Sequence, residues 1–83
     1  MTNQNNNGWA NRATWNISLW INNDEPIYRA AVDFMATYKG GRPYLDFIKH
    51  YGLTQARTPD RVKFISDRIN LRELNAMMRE LAA

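Results

Sequence analysis

Residues 14–23 read Thr-Trp-Asn-Ile-Ser-Leu-Trp-Ile-Asn-Asn, and the secondary structure of this stretch decides the fold class of the whole chain. At a period of two residues, large apolar side chains alternate with mostly polar ones, which is typical of a half-buried strand. At a period of 3.6 residues, the same side chains form a broad apolar face on a short helix that Thr14 could cap. The other candidate strand covers residues 62–65, and a lone strand is unstable without a partner. The helix is therefore favoured.

Beyond residue 23, apolar side chains recur at helical spacing in several stretches that carry their own start and stop signals. The predicted starts are Asn23 or Asp24, Pro43, Thr58-Pro59 and Asn70, and the predicted stops are Gly40-Gly41 and Gly52. After Thr58-Pro59, a short strand is left open beside the helix. The patterns predict a mostly α protein, a compact bundle of four to five short helices. The alternative is an α+β fold in which residues 15–21 and 62–65 form a short two-stranded element.

The first 13 residues differ in composition from the rest of the chain. They hold five asparagines and one glutamine and show no apolar period. Such polar, low-complexity composition predicts a disordered arm over residues 1–13. Residues 14–83 then form a single helical domain, because no linker divides them.

The residue inventory argues against catalysis. The 83 residues include no cysteine and one histidine, His50, and the two serines are Ser18 and Ser66. No phosphate loop, nucleophile elbow or metalloprotease helix is present. Asp46 and His50 lie four residues apart on one predicted helix, but two ligands do not make a metal site. We therefore expect a protein that is not an enzyme and takes no cofactor and no metal.

The formal net charge of +3 is unevenly distributed. Residues 39–63 hold six cationic side chains against two carboxylates, whereas the remainder of the chain is close to neutral. Such asymmetry favours an anionic partner. The candidate residues for an anion or a nucleic acid are Lys39, Arg42, Arg57, Arg61 and Lys63.

A second set of residues is suited to a protein partner. Trp9 is isolated in a polar stretch, and Trp20 would point away from the apolar face if residues 15–21 were a strand. Exposed tryptophan is typical of energetically important interface positions. The candidate residues for a protein partner are Trp9, Trp20, Asn22 and Asn23.

Thr14-Trp15-Asn16, the run Leu19–Glu25 and Tyr28 together resemble a family of small proteins typical of bacteriophages, prophages and related mobile elements. The C-terminal runs, 62–69 and 71–81, are similar to the same family, so the resemblance covers residues 12–82. The family has no assigned activity. The resemblance implies a short accessory protein that binds something of the host, and by analogy one that inhibits a host machine such as a CRISPR or other defence complex.

These observations lead to two expectations of function. The first is a non-catalytic protein that binds a host protein or protein complex in the host cell cytoplasm. The alternative is a basic nucleic-acid-binding module that uses residues 39–63. No membrane partner is expected, because no apolar run is long enough to span a bilayer. The oligomeric state is left open, and a dimer is one option.

Overall fold

A computed structural model describes residues 8–82 of the chain. Four helices follow one another: α1 (Arg12–Asn23), α2 (Glu25–Thr37), α3 (Pro43–Tyr51) and α4 (Leu71–Leu81). Helix α1 packs against α2 and α4, and α3 packs against the same two helices. The predicted helical bundle is therefore confirmed. No helix in the described residues combines the length and apolar character needed to cross a membrane.

Helix α1 settles the ambiguity of residues 14–23. Ile17 and Ile21 are fully buried, and so are the polar side chains of Thr14 and Asn16. This burial follows the helical period and not the period of two, so the two-stranded alternative is wrong. Residues 8–82 contain no strand, and an isolated antiparallel bridge between residues 57 and 63 is the one β-type pairing recorded there.

The N-terminal cap of α1 is Asn11 and not Thr14. The Asn11 side chain accepts a hydrogen bond from the Thr14 backbone N–H at 2.8 Å. An asparagine cap satisfies one of the free N–H groups of the first turn, so the helix can begin at Arg12. Residues 12 and 13 consequently belong to the helix and not to the predicted arm, whereas residues 1–7 of that arm lie outside the described residues.

Asp24 separates α1 from α2 by a single residue. Its backbone N–H donates to the Trp20 carbonyl oxygen, and its side chain accepts from the Ile27 N–H at 3.3 Å. The predicted start of α2 is thus confirmed at Asp24, with Pro26 in the first turn, where its missing N–H costs nothing. The helix ends at Thr37, before the glycines that were predicted to stop it.

The ends of α3 and α4 follow the predicted signals. Helix α3 begins at Pro43 and ends at Tyr51, and the next residue, Gly52, has a φ of 80°, the left-handed conformation that glycine adopts without strain. Helix α4 is capped by Asn70, whose side chain accepts from the Glu73 N–H at 3.0 Å. The Glu73 carboxylate does not complete a capping box, because it accepts instead from the Ala10 N–H at 2.8 Å.

The core lies between the four helices. It consists of eleven buried apolar side chains, and Phe64 is the member that comes from outside the helices. The others are Ile17, Ile21, Ala31, Met35, Tyr44, Phe47, Ile48, Leu74, Met77 and Met78. All eleven core residues lie between residues 17 and 78.

Residues 52–70 form a long connection between α3 and α4, and the helix predicted after Thr58-Pro59 is absent. Thr58 and Pro59 begin a tight turn instead: the Arg61 N–H donates to the Thr58 carbonyl at 2.7 Å, and the Thr58 N–H donates to the Val62 carbonyl at 2.8 Å. Proline suits the second position of such a turn as well as it suits a helix start. The helical spacing of Val62, Ile65 and Ile69 was therefore misleading.

Candidate anion-binding site

A concave surface of about 470 Å³ lies between the first turn of α1 and the 52–70 connection. We call it the basic groove. It is lined by Arg12, Ala13, Arg57, Arg61, Val62, Lys63, Ser66, Asp67 and Arg68. Five of these side chains are cationic and one is a carboxylate, so the groove carries a formal charge of +4. This local charge exceeds the +3 of the whole chain.

The cations of the basic groove have no acidic partner among residues 8–82. The one ion pair recorded there joins Arg29 to Glu25 at 2.9 Å on the surface of α2. Like charges that are held together in excess over counter-charges raise the electrostatic potential of a concave surface. The groove is therefore suited to an anion.

A short hairpin places three of the cations. Arg57 and Lys63 face each other across the antiparallel bridge, and Arg61 lies in the turn between them. The Phe64 N–H donates to the Ala56 carbonyl at 3.3 Å and continues the pairing beyond the bridge. The hairpin brings charges that are spread over seven residues of sequence onto one short, hydrogen-bonded element.

Arg61 occupies an unusual backbone conformation for its side chain. Its φ is 71°, and it is the one non-glycine residue with a positive φ among those described. A tight turn followed by a left-handed residue is a common three-residue hairpin loop, in which glycine normally takes the left-handed position. An arginine there costs about 1–2 kcal/mol relative to the right-handed region. The chain thus carries a charge where local stability favours glycine.

Asp60 ties the hairpin turn to α1. Its Oδ2 accepts from Asn16 Nδ2 at 2.8 Å and from Trp20 Nε1 at 3.1 Å. The hydrogen bond from Asn16, followed by that from Trp20, holds the pKa of the Asp60 carboxyl below its ordinary value, and the charge of Arg12 acts in the same direction. The Asp60 carboxylate therefore faces α1 and is engaged in hydrogen bonds within the protein.

Buried polar contacts fix the base of the hairpin. The Thr58 hydroxyl donates to Asn16 Oδ1 at 2.7 Å and accepts from the Val62 N–H at 3.2 Å. Both Thr58 and Asn16 are buried, and buried polar groups are costly unless they are paired. The two side chains of Asn16 and Thr58 thereby specify where the hairpin docks on α1.

The far end of the connection is held in the same way. The Asn70 N–H donates to Thr14 Oγ1 at 2.9 Å, and Asn11 Nδ2 donates to the Arg68 carbonyl at 2.7 Å. These bonds explain why α1 buries a threonine on the face that meets the connection. They also hold Arg68 beside Arg12, the first residue of α1.

Helix α3 fastens the middle of the connection. The Tyr44 hydroxyl donates to the Phe64 carbonyl at 2.6 Å within the core. Burial raises the pKa of the Tyr44 hydroxyl, so it keeps its proton and remains a donor. The 52–70 connection is therefore anchored at its two ends by α1 and at its centre by α3.

The predicted anion-binding residues divide between two surfaces. Arg57, Arg61 and Lys63 all line the basic groove, whereas Lys39 lines a different cavity between α2 and α3. Arg42 is the residue before α3, and its N–H donates to the Tyr38 hydroxyl at 2.9 Å. Lys39 and Arg42 are thus not brought together with the other three.

Sequence reasoning missed Arg12, which lies about 45 residues before the hairpin in the chain. The sequence nevertheless contained a signal that could have identified Arg12. Arg12 is the first residue of α1, and the first turn of that helix contains no acidic side chain. A positive charge at a helix N-terminus opposes the helix dipole, so its position there calls for another explanation.

The link between α2 and α3 is built around Tyr38. Its hydroxyl donates to Asp46 Oδ2, and burial together with this bond raises the pKa of the phenol. The Tyr38 ring covers Gly40 so closely that a Cβ atom at that position would collide with it. Gly40 is needed for this close approach and not for ending α2.

The predicted protein-binding residues also occupy different positions. Trp9 and Asn22 line one groove of about 450 Å³, which we call the α4 groove because most of its other residues belong to that helix. Its remaining lining residues are Gly8, Glu73, Ala76, Met77, Glu80 and Leu81. Trp20 is half-buried with its indole N–H bonded to Asp60, and Asn23 is an exposed residue at the end of α1.

No three histidine, aspartate or glutamate side chains within residues 8–82 are grouped so that they could hold a metal ion. Asp46, one member of the pair considered above, accepts a hydrogen bond from Tyr38. The other, His50, packs against the ring of Phe34 with 5.3 Å between the ring centroids. Both side chains therefore have structural contacts of their own.

No curated protein and no solved structure shows significant similarity to this chain. A family model described as a family of unknown function, DUF7249, matches residues 2–83. That match spans α1 to α4 and includes the residues that dock the hairpin and those that line the basic groove. The chain belongs to the DUF7249 family of unknown function.

Proposed function

We propose that this protein is a non-catalytic nucleic-acid-binding module and that the basic groove is its binding surface. The observation that carries the proposal is the gathering of five cations and one carboxylate on one concave surface, where no ion pair is recorded for these cations among residues 8–82. Nucleic acids are abundant polyanions in a cell. Lysine and arginine contacts to their phosphate groups supply most of the affinity of nonspecific binding.

The anchoring of the 52–70 connection supports the proposal. Loops of more than about 12–15 residues without helix or strand are uncommon in compact domains and are often functional. This one is fastened by buried side chains of α1 and α3, so the backbone that carries its cations is fixed before a ligand arrives. Such preorganisation reduces the entropy that binding would otherwise cost.

The test is a binding titration of fluorescein-labelled nucleic acid at 20–50 mM NaCl, followed by fluorescence anisotropy. Replacement of Arg57 and Lys63 by glutamine removes two facing charges and keeps the hairpin backbone. We expect this double variant to bind at least about tenfold more weakly, because each phosphate contact contributes on the order of 1 kcal/mol.

A charge-matched control variant distinguishes the effect of removing cations from the basic groove from the effect of lowering the net charge. Lys49 and Arg79 are exposed cations in the last turns of α3 and α4 and do not line the basic groove. Their replacement by glutamine should change the affinity by less than about twofold. Equal losses of affinity in both double variants would contradict the proposed binding surface. A loss of affinity only on replacing Lys39 and Arg42 would show that the binding site is the link between α2 and α3.

A protein partner is the second candidate, and the α4 groove favours it. Trp9 packs at the edge of this groove beside Met77 and Leu81, which together offer an apolar anchor site. Glu80 adds a negative charge. We propose an amphipathic, basic segment of a protein as the occupant in this case, and the inhibition of a host defence complex remains a prediction from resemblance.

Nucleic-acid binding by the basic groove and protein binding by the α4 groove should respond differently to salt and to substitution. Trp9→Ala should abolish binding of a protein partner and leave nucleic-acid binding unchanged. Raising NaCl from 50 to 200 mM should weaken phosphate contacts steeply and an apolar anchor little. Recovery of a defined host protein by the wild type and by the Arg57→Gln, Lys63→Gln variant, but not by Trp9→Ala, would favour the second candidate.

A further inference from the structure

The chemistry of the basic groove bears on the kind of nucleic acid that it fits. Among residues 8–82, its lining contains no aromatic side chain and no asparagine, glutamine or histidine. Besides the cations and Asp67, it offers one hydroxyl, that of Ser66, and the small apolar side chains of Ala13 and Val62. The groove is therefore equipped for phosphate groups and poorly equipped for bases.

Proteins that bind single strands supply aromatic side chains, because unstacked bases need a surface on which to stack. The part of the chain that the structure describes places none in the basic groove. A double helix, in contrast, keeps its bases stacked on each other and presents phosphates on its outside. Contacts to phosphate and sugar position a protein on a duplex without reading its sequence.

Three features that oppose local stability coincide at this groove. Arg61 takes the left-handed conformation, Arg12 opposes the dipole of α1, and the cations have no acidic partner among residues 8–82. Departures from local preference are expected where function requires them. Their coincidence on one surface links them to a single ligand that carries several negative charges.

We infer that the basic groove binds the phosphate backbone of double-stranded nucleic acid independently of base sequence, with Arg61 placed by its left-handed backbone as one of the phosphate contacts. This inference rests on the proposed function and adds to it the class of nucleic acid. Double-stranded DNA and double-stranded RNA share this chemistry, so both enter the test.

The experiment measures the affinity of the 83-residue chain for each of four fluorescein-labelled probes by anisotropy. The probes are two 16-base-pair DNA duplexes of unrelated sequence, one of their single strands, and a 16-base-pair RNA duplex. We expect at least one type of duplex to bind about tenfold more tightly than the single strand, and the two DNA sequences to differ by less than about twofold. The DNA and RNA arms show which duplex is the ligand.

The salt dependence of the affinity gives the number of phosphate contacts. Because the logarithm of affinity falls with the logarithm of salt concentration by about 0.9 for each neutralised phosphate, five cations predict a slope of up to about −4.5. Arg61→Gly should reduce the magnitude of that slope by about one and weaken binding several-fold. Glycine suits the left-handed backbone, so this variant should melt at the wild-type temperature or above, and a loss of binding cannot then be ascribed to unfolding.

The outcomes separate the inference from the function on which it rests. Tighter binding of the single strand, or more than tenfold discrimination between the two DNA sequences, would overturn the inference and leave nucleic-acid binding intact. Wild-type affinity and slope in Arg61→Gly would also overturn it. Absence of binding to all four probes at 20 mM NaCl would overturn both the inference and the proposed function.

Discussion

At the scale of single residues, Asn16 has the most demanding position in the molecule. It is fully buried in α1, yet both atoms of its side-chain amide are paired with the hairpin: Oδ1 accepts from Thr58 and Nδ2 donates to Asp60. A buried asparagine is unfavourable unless such partners exist. These two hydrogen bonds direct the hairpin of the 52–70 connection to α1.

Replacing Asn16 by alanine should lower the free energy of unfolding by about 2–3 kcal/mol, because the Thr58 hydroxyl would lose its acceptor inside the protein. Urea denaturation followed by circular dichroism measures this change. Asn23→Ala is the matched control, since Asn23 is exposed on the same helix and should cost less than about 0.5 kcal/mol. Similar costs for the two variants would show that Asn16 does not organise the connection.

Asp60 makes the docking of the hairpin sensitive to acid. Its pKa is lower in the folded protein than in the unfolded chain, so its contribution to stability is complete above the unfolded value of about 3.9 and is lost as the pH falls through the folded value. Asp60→Asn keeps an acceptor oxygen but removes the charge. The wild type should exceed this variant in stability at pH 6, and the difference should shrink at pH 2.5. A difference that stays constant between these pH values would contradict the assignment.

At the scale of elements, the helices could be predicted from the sequence because their signals are local. Asp24, Gly52 and Asn70 mark helix ends through hydrogen bonds or backbone conformations within a few residues. Apolar spacing predicted most of the buried side chains of α2, α3 and α4. In α1, three of the five buried side chains are polar, and that spacing did not predict them. The helical choice for residues 14–23 followed from the absence of a partner strand, and the structure confirms it.

The 52–70 connection could not be predicted in this way, because the interactions that shape it come from distant residues. Asn16 and Tyr44 lie 42 and 20 residues from their hydrogen-bond partners in the connection. The same separation explains why only part of the basic groove was predicted. Arg57, Arg61 and Lys63 are close in sequence and were identified together. Arg12 joins them only because the hairpin docks on α1.

The bond between α3 and the connection gives a prediction at this scale. Tyr44→Phe removes the donor to the Phe64 carbonyl and should cost about 1–2 kcal/mol at pH 7. Because burial raises the pKa of Tyr44, the folded protein keeps this proton at a pH at which the unfolded chain has lost it, so the wild type loses stability above about pH 10. The stability advantage of the wild type over Tyr44→Phe should therefore fall between pH 9 and pH 11. An unchanged advantage over this range would contradict the buried position of the hydroxyl.

At the scale of the whole molecule, the net charge of +3 is the balance of a cationic groove and a body that is nearly neutral. The family match over residues 2–83 includes this groove together with the four helices that support it. One face of a small domain thus concentrates the repulsion between like charges, and stability should depend on how strongly that repulsion is screened.

Raising NaCl from 10 to 150 mM should therefore increase the melting temperature, because the screening length shortens to about 8 Å and repulsion within the groove weakens. The Arg57→Gln, Lys63→Gln variant should melt at a higher temperature than the wild type in 10 mM NaCl and respond less to added salt. Differential scanning fluorimetry measures both effects. The same salt response in the wild type and in this variant would show that the groove is not the source of the repulsion.

The most direct test of the central claim is a ¹H–¹⁵N NMR titration of the labelled protein with an unlabelled 16-base-pair duplex at 50 mM NaCl. We expect the largest amide shifts at residues 12–13 and 57–68, which carry the basic groove. Shifts concentrated at residues 76–81 or 39–42, with the hairpin unaffected, would contradict the central claim.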